Sequence, residues 1–118
     1  MKGQSLGRRL GYALNGLRLA TRQEKSLRTH LLATVAVVLV LSLTRASALW
    51  WAVMALTVGL VIVAELINSA LETLIDHLHP ERHPAIGAAK DIAAGATLLA
   101  SVVALVVGAS YLVDWLGR

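Results

Sequence analysis

Apolar residues run along this chain in blocks too long for a soluble core of this size, separated by short polar clusters. From Ala46 to Ala64 there are 19 residues without a formal charge, and from Ile92 to Val113 there are 22. A helix needs about 20 apolar residues to cross a hydrocarbon layer of about 30 Å, so each block predicts a transmembrane helix. Leu31–Leu43 adds 13 apolar-rich residues, flanked by Arg28, Thr29 and His30 on one side and Thr44 and Arg45 on the other. Those flanks can snorkel to the interfaces, which makes this block a third span. Upstream, Leu6, Leu10, Leu14 and Leu17 recur at steps of four and three, while Arg8, Arg9, Arg18 and Arg22 fall largely elsewhere around the wheel. That pattern predicts an amphipathic helix lying on a membrane surface.

The predicted fold is therefore an all-α membrane protein. It has a surface helix over about 6–28 and spans over about 29–45, 47–76 and 90–114, in one domain covering residues 1–118. No internal repeat or flexible linker is visible, and the two prolines, Pro80 and Pro84, share the one loop in which a helix has to stop. The first apolar block begins behind a long basic segment, with no small-residue cleavage site after it, so it reads as a retained span rather than a leader.

Composition changes this picture little. The chain is 57% hydrophobic against 15% charged, and its net charge of +4 invites a nucleic-acid reading. With 4% aromatics and basic residues set beside apolar runs, that charge is better matched to phosphate or anionic headgroups than to nucleic acid. The absence of cysteine excludes disulfides, thiolate catalysis and cysteine-based metal sites. Seven of the 11 Lys and Arg residues (Lys2, Arg8, Arg9, Arg18, Arg22, Lys25 and Arg28) precede the first span, which predicts a cytoplasmic N-terminus. Three spans then place Thr44–Ser47 in a tight external hairpin, with Trp50 and Trp51 at the depth of an aromatic belt and the Asp76–Lys90 loop in the cytoplasm.

The candidate chemistry lies at the end of the second span. Glu65, Asn68, Ser69, Glu72 and Asp76 are spaced so that they share one helix face. Glu65 directly follows a full-length apolar run, where a carboxylate is costly unless it is paired, protonated or facing a wet cavity. Glu72 and Asp76, further along, are also explained by a helix that has emerged into water. A carboxylate can take a proton from a hydroxyl, and a second one beside an amide oxygen can hold Mg²⁺, a hard cation that keeps phosphate and water in its shell. Across the loop, Lys90 and Asp91 open the third span, where an ammonium and a helix N-terminus could meet a phosphate. A plain interfacial lysine is the simpler alternative. Glu24 is ordinarily one charge among Arg22, Lys25 and Arg28, but could reach a metal if its helix packs against the spans. No Walker-type or protein-kinase motif is present, which excludes those folds but not phosphoryl transfer. His77, His79 and His83, with no cysteine near them, are too weak a pattern to claim zinc.

The segment Glu65-Leu66-Ile67-Asn68-Ser69-Ala70-Leu71-Glu72-Thr73-Leu74-Ile75-Asp76, followed by Ala89-Lys90-Asp91, resembles the signature of the small prokaryotic diacylglycerol kinases, integral membrane lipid kinases. Gly11-Tyr12-Ala13-Leu14-Asn15-Gly16-Leu17-Arg18 and Glu24-Lys25-Ser26-Leu27-Arg28 extend the resemblance from about Leu10 to Val113. The resemblance implies a homotrimer in the bacterial cytoplasmic (inner) membrane, with active sites shared between subunits at the cytoplasmic face. Each site would transfer the ATP γ-phosphate to a lipid hydroxyl.

Carried over position by position, it implies that Glu65 is the general base and that Glu24 and Glu72 bind the Mg²⁺ of MgATP. Asn68, Ser69 and Asp76 would support the phosphates and metal, Lys90 and Asp91 would order the polyphosphate, and Tyr12, Glu81 and His83 would flank the adenosine. Gly87 would leave room beside the phosphates, and Arg18 would contact nucleotide or phosphate. Small residues in the third span, among them Ala93, Gly95, Ala96, Ala100 and Gly108, suit close helix packing in such an oligomer.

Arg28-Thr29-His30, Glu81-Arg82-His83-Pro84 and Ala93-Ala94-Gly95-Ala96 also resemble the undecaprenol-phosphorylating branch, so the acceptor lipid is left between diacylglycerol and a polyprenol. Two readings from other classes compete. A proton-relay or scaffold oligomer would use Glu65, Glu72 and Asp91 but would not need Asn68, Lys90 and Glu24 together. A basic surface anchor using Arg8, Arg9, Arg18 and Arg22 leaves the acidic stripe unexplained.

Overall fold

Capping residues decide where each helix begins, and they divide the chain into four. The computed structural model describes residues 3–118; Lys2, counted above in the basic cluster, lies outside the described residues. The helices are α1 (Leu6–Gln23), α2 (Lys25–Leu43), α3 (Ala48–Leu78) and α4 (Pro84–Leu116). Ser5 caps α1 by accepting from the Arg8 amide, Ser47 caps α3 by accepting from the Trp50 amide, and His83 caps α4 by accepting from the Ala85 amide. Pro84 then occupies the first turn of α4, where its missing N–H is no loss.

Two boundaries differ from the sequence expectation. The surface helix expected over about 6–28 stops at Gln23, because Glu24 adopts an extended backbone (φ −107°, ψ 108°) and the chain restarts as α2 at Lys25. Arg28 holds this break by donating to the carbonyls of Thr21 (3.0 Å) and Arg22 (2.8 Å), which the end of α1 leaves without helical partners. At the other end, α4 begins at Pro84, so Lys90 and Asp91 stand well inside the helix rather than at its N-terminus. The apolar run marks the span, but the cap marks the helix, and the positive end of the α4 dipole accordingly lies at the His83–Gly87 turn.

α2, α3 and α4 are each long and apolar enough to cross a membrane, and the chain is a multi-pass membrane protein. α3 packs most extensively on α4, then on α2, while α1 leans on α2 and α3 with none of its own residues buried. Among the described residues the buried set is small: Leu27, Leu41, Met54, Val61, Ala100 and Tyr111, with the polar Thr57, Glu65 and Ser69. All three polar members lie on α3 with Met54 and Val61, so the Glu65–Ser69 part of the polar stripe faces protein, whereas long apolar side chains such as Leu56, Leu105 and Leu112 point outward.

The end of the bundle carrying the α2–α3 turn is locked by Leu41, Met54 and Tyr111, with Trp50, Trp51 and Val107 against them. Trp50 meets Tyr111 edge to face at 5.0 Å and donates its indole N–H to Asp114 (3.1 Å), while the Tyr111 hydroxyl is bonded to Thr44.

That turn is closed by two backbone bonds, Ala46 N–H to Leu41 (3.0 Å) and Arg45 N–H to Ser42 (3.3 Å), the pair that defines a Schellman cap. The motif puts Arg45 in the left-handed region at φ 52°. Such a conformation costs a side-chain-bearing residue about 1 kcal/mol or more, which glycine avoids. Arg45→Gly should therefore raise the thermal unfolding midpoint in detergent, corresponding to about 1 kcal/mol or less; an unchanged or lower midpoint contradicts this reading of the turn.

Candidate functional site

The acidic stripe of α3 meets the α1–α2 junction at two carboxylates. Glu65 is 8% exposed, the deepest acid in the chain. Its Oε1 accepts a hydrogen bond from the Ser26 hydroxyl at 2.8 Å and lies 3.1 Å from His30 Nδ1. Ser26 and His30 are one turn apart on α2, so a single helix face supplies both neighbours. One turn along α3, the Ser69 hydroxyl donates to Glu24 Oε1 at 3.0 Å. The extended residue between α1 and α2 thus turns its carboxylate onto the same stripe, next to the turn that carries Glu72. Two buried polar atoms there have no hydrogen-bond partner: Asn68 Oδ1 and His30 Nδ1. His30 Nδ1 is close enough to Glu65 for an ion pair, but its ring is not aligned to hydrogen-bond it.

A second group lies further along α3. Lys90 Nζ is 2.5 Å from Asp76 Oδ1, joining α3 to α4, and Glu72 is near enough to act on the same ammonium. Asp76 and Lys90 form one wall of an open cleft of about 480 Å³, and Glu81, His83, Pro84 and Gly87 contribute to the others. His79 Nδ1 lies 3.0 Å from the Glu81 carbonyl, which holds the loop against itself. A wider, mostly apolar groove of about 620 Å³ runs between α1 and α3, lined by Gly16, Leu17, Ala20, Leu66 and Ala70 and reaching Ser69.

Of the residues singled out from sequence, Glu24, Glu65, Asn68, Ser69 and Glu72 fall along the stripe, and Asp76, Glu81, His83, Gly87 and Lys90 surround the cleft. Asp91 is exposed on α4. Tyr12 and Arg18 are exposed on α1 and line neither cavity. Ser26 and His30 were not singled out as site residues. The signal was their four-residue spacing, legible only once the helix break at Glu24 sets the face that α2 turns to α3.

Among the described residues, no group of three or more His, Asp or Glu side chains comes together as a metal cage. Mg²⁺ commonly takes only one or two protein carboxylates, with phosphate and water completing its shell. Glu24, held at the stripe by Ser69, Glu72 one turn on, and the unpartnered Asn68 Oδ1 would offer oxygen donors of that kind.

Three apolar helices, an N-terminal helix and carboxylates gathered at one end of the bundle define a multi-pass membrane protein with a polar site beside its spans. The chain belongs to the prokaryotic diacylglycerol kinase family, which matches residues 11–112. It is 41% identical over 98 residues to a diacylglycerol kinase of Synechocystis sp., covering 82% of this chain but only 56% of that protein. It is 32% identical to the undecaprenol kinase of Bacillus subtilis, covering 82% of this chain and 79% of that one. It is also 32% identical to the diacylglycerol kinase of Escherichia coli, covering 81% and 79%.

The Ser69–Glu24 bond, with Ser26–Glu65, ties the α1–α2 junction to α3. Ser69→Ala should cost about 1 kcal/mol of stability, read as a lower thermal midpoint. A midpoint equal to that of the parent protein would show that the junction is held elsewhere.

Proposed function

We propose that this protein transfers the γ-phosphate of MgATP to the primary hydroxyl of diacylglycerol at the cytoplasmic face of the bacterial inner membrane, giving phosphatidic acid. The observation that carries this reading is the buried Glu65 carboxylate, held through Oε1 in a chain whose relatives are named lipid kinases. Glu65 accepts the proton of the lipid hydroxyl as its oxygen forms a bond to the γ-phosphorus. The bond from that phosphorus to the β–γ bridging oxygen breaks, and ADP leaves with the electron pair. Phosphoryl transfer asks mainly for alignment and charge compensation, which a few acids and one lysine on a helical frame can supply.

Glu24 and Glu72 would hold Mg²⁺, with Asn68, Ser69 and Asp76 supporting the phosphates. When bound, the cation neutralises charge on the transferring phosphoryl group. Lys90, carried by Asp76 at the cleft, meets the polyphosphate together with Asp91. The cleft beside Glu81, His83 and Gly87 takes the nucleotide. Tyr12 and Arg18, exposed on α1, complete a nucleotide site only if a neighbouring subunit packs there, which fits the proposed homotrimer with shared sites. The thin internal core and the outward apolar faces support the same assembly.

Undecaprenol is the second reading, favoured by the equal identity to a relative named undecaprenol kinase and one named diacylglycerol kinase. Both lipids present a single primary hydroxyl on an apolar body, so the chemistry at Glu65 is common to them. Mixed-micelle assays on the two lipids side by side should give the higher kcat/KM with diacylglycerol, and the reverse order would assign the undecaprenol role. Glu65→Gln should lower kcat by about 10²–10⁴ while assembly is retained, since general-base contributions fall in that range. A well-assembled variant with parental turnover removes Glu65 from the chemistry. Glu72→Ala should shift the Mg²⁺ titration to higher concentration and reduce turnover together; an unchanged titration counts against its place at the metal.

A further inference from the structure

The polar groups on α2 that face Glu65 have no part in the mechanism above. Ser26 Oγ at 2.8 Å and His30 Nδ1 at 3.1 Å both converge on Oε1 of Glu65, and neither makes a hydrogen bond to Oε2. His30 Nδ1 is enclosed and makes no hydrogen bond, an expensive state for a ring nitrogen unless a partner is within reach. Only one is. The ring borders a small cavity of about 110 Å³ whose other walls are Ala33, Thr34, Val37, Val61 and further aliphatic side chains. The Thr34 hydroxyl spends its own proton on the His30 carbonyl at 2.8 Å and has no short contact with Nδ1. The cavity gives the imidazole room to turn, and Glu65 Oε1, already at 3.1 Å, is a carboxylate acceptor it can turn to.

We infer that His30 is a positioning residue for the general base: with Ser26 it clamps Oε1 of Glu65 by donating from Nδ1, which leaves the Oε2 lone pairs directed at the substrate hydroxyl. This rests on the reading of Glu65 as the base. A carboxylate held at one oxygen by two donors from a single helix face cannot rotate freely about its terminal torsion. A carboxylate with one hydroxyl donor can, and small misplacements of a reacting group cost heavily in rate. The donor must sit at the Nδ1 position, one atom beyond Cγ. Asn places its amide nitrogen there, whereas Gln places its own one bond further out, where His carries Nε2.

The test uses the full-length protein in lipid–detergent micelles, with assembly checked by gel filtration and thermal unfolding. His30→Ala should lower kcat by about 10–100-fold with the KM values for MgATP and lipid unchanged, as expected when alignment rather than binding is lost. His30→Asn should recover kcat to within about threefold of the parent, and His30→Gln should stay near the alanine level. A parental kcat in His30→Ala, a rise confined to KM, or a His30→Asn no better than His30→Gln each overturns the clamp. If His30→Ala fails to assemble, the Asn and Gln pair decides alone. Glu65→Gln run alongside separates the two claims: an active Glu65→Gln removes the base, whereas an inactive Glu65→Gln with a fully active His30→Ala removes the clamp and leaves the base standing.

Discussion

A carboxylate placed at the end of a 19-residue uncharged run must find partners inside the protein, because lipid offers none. Glu65 sets that demand, and much of the local architecture follows from it. α2 must pass close enough for Ser26 and His30 to reach Oε1, which fixes the face that α2 turns toward α3. For α2 to start with that rotation, the helix that precedes it has to end, and the extended Glu24 supplies the break. The break in turn swings a second carboxylate onto the stripe, where Ser69 receives it. One desolvated acid thus accounts for the junction that gathers most of the chain's candidate chemistry.

The two ends of the bundle are built differently for a reason. The Thr44, Trp50, Tyr111 and Asp114 cluster, closed over Leu41 and Met54, ties the α2–α3 turn to the last turns of α4. The opposite end carries an open cleft, an apolar groove and a helix, α1, with no buried residue. Tight packing at one end and an open polar cleft at the other suit the proposed reaction, in which nucleotide and lipid would meet at the same carboxylates. The wide outward apolar surface of α2, α3 and α4 is what a bilayer, or neighbouring copies within it, would cover.

Much of this was legible in the residue pattern. Long uncharged runs specify spans because hydrocarbon thickness leaves few alternatives, and the Glu65–Asp76 spacing specifies a helix face regardless of tertiary context. The helix ends were harder to read. The break at Glu24 comes from a local backbone conformation secured by Arg28 reaching back to two carbonyls, an interaction that no periodicity encodes. The start of α4 was set by His83 and Pro84, which outrank the apolar run as a boundary signal. His30 reads in sequence as an interfacial flank of a short span. Its position beside Glu65 emerges only when α2 and α3 are packed, and that packing depends on the Glu24 break.

The most direct measurement follows the label from ATP to lipid with the assembled parent protein, comparing γ-labelled with α-labelled MgATP in diacylglycerol micelles. A lipid kinase built on Glu65 predicts that γ-label alone enters the lipid fraction, as phosphatidic acid, with one ADP formed for each labelled lipid. ADP released without labelled lipid, or no turnover of diacylglycerol or undecaprenol by protein that is demonstrably assembled, would contradict it.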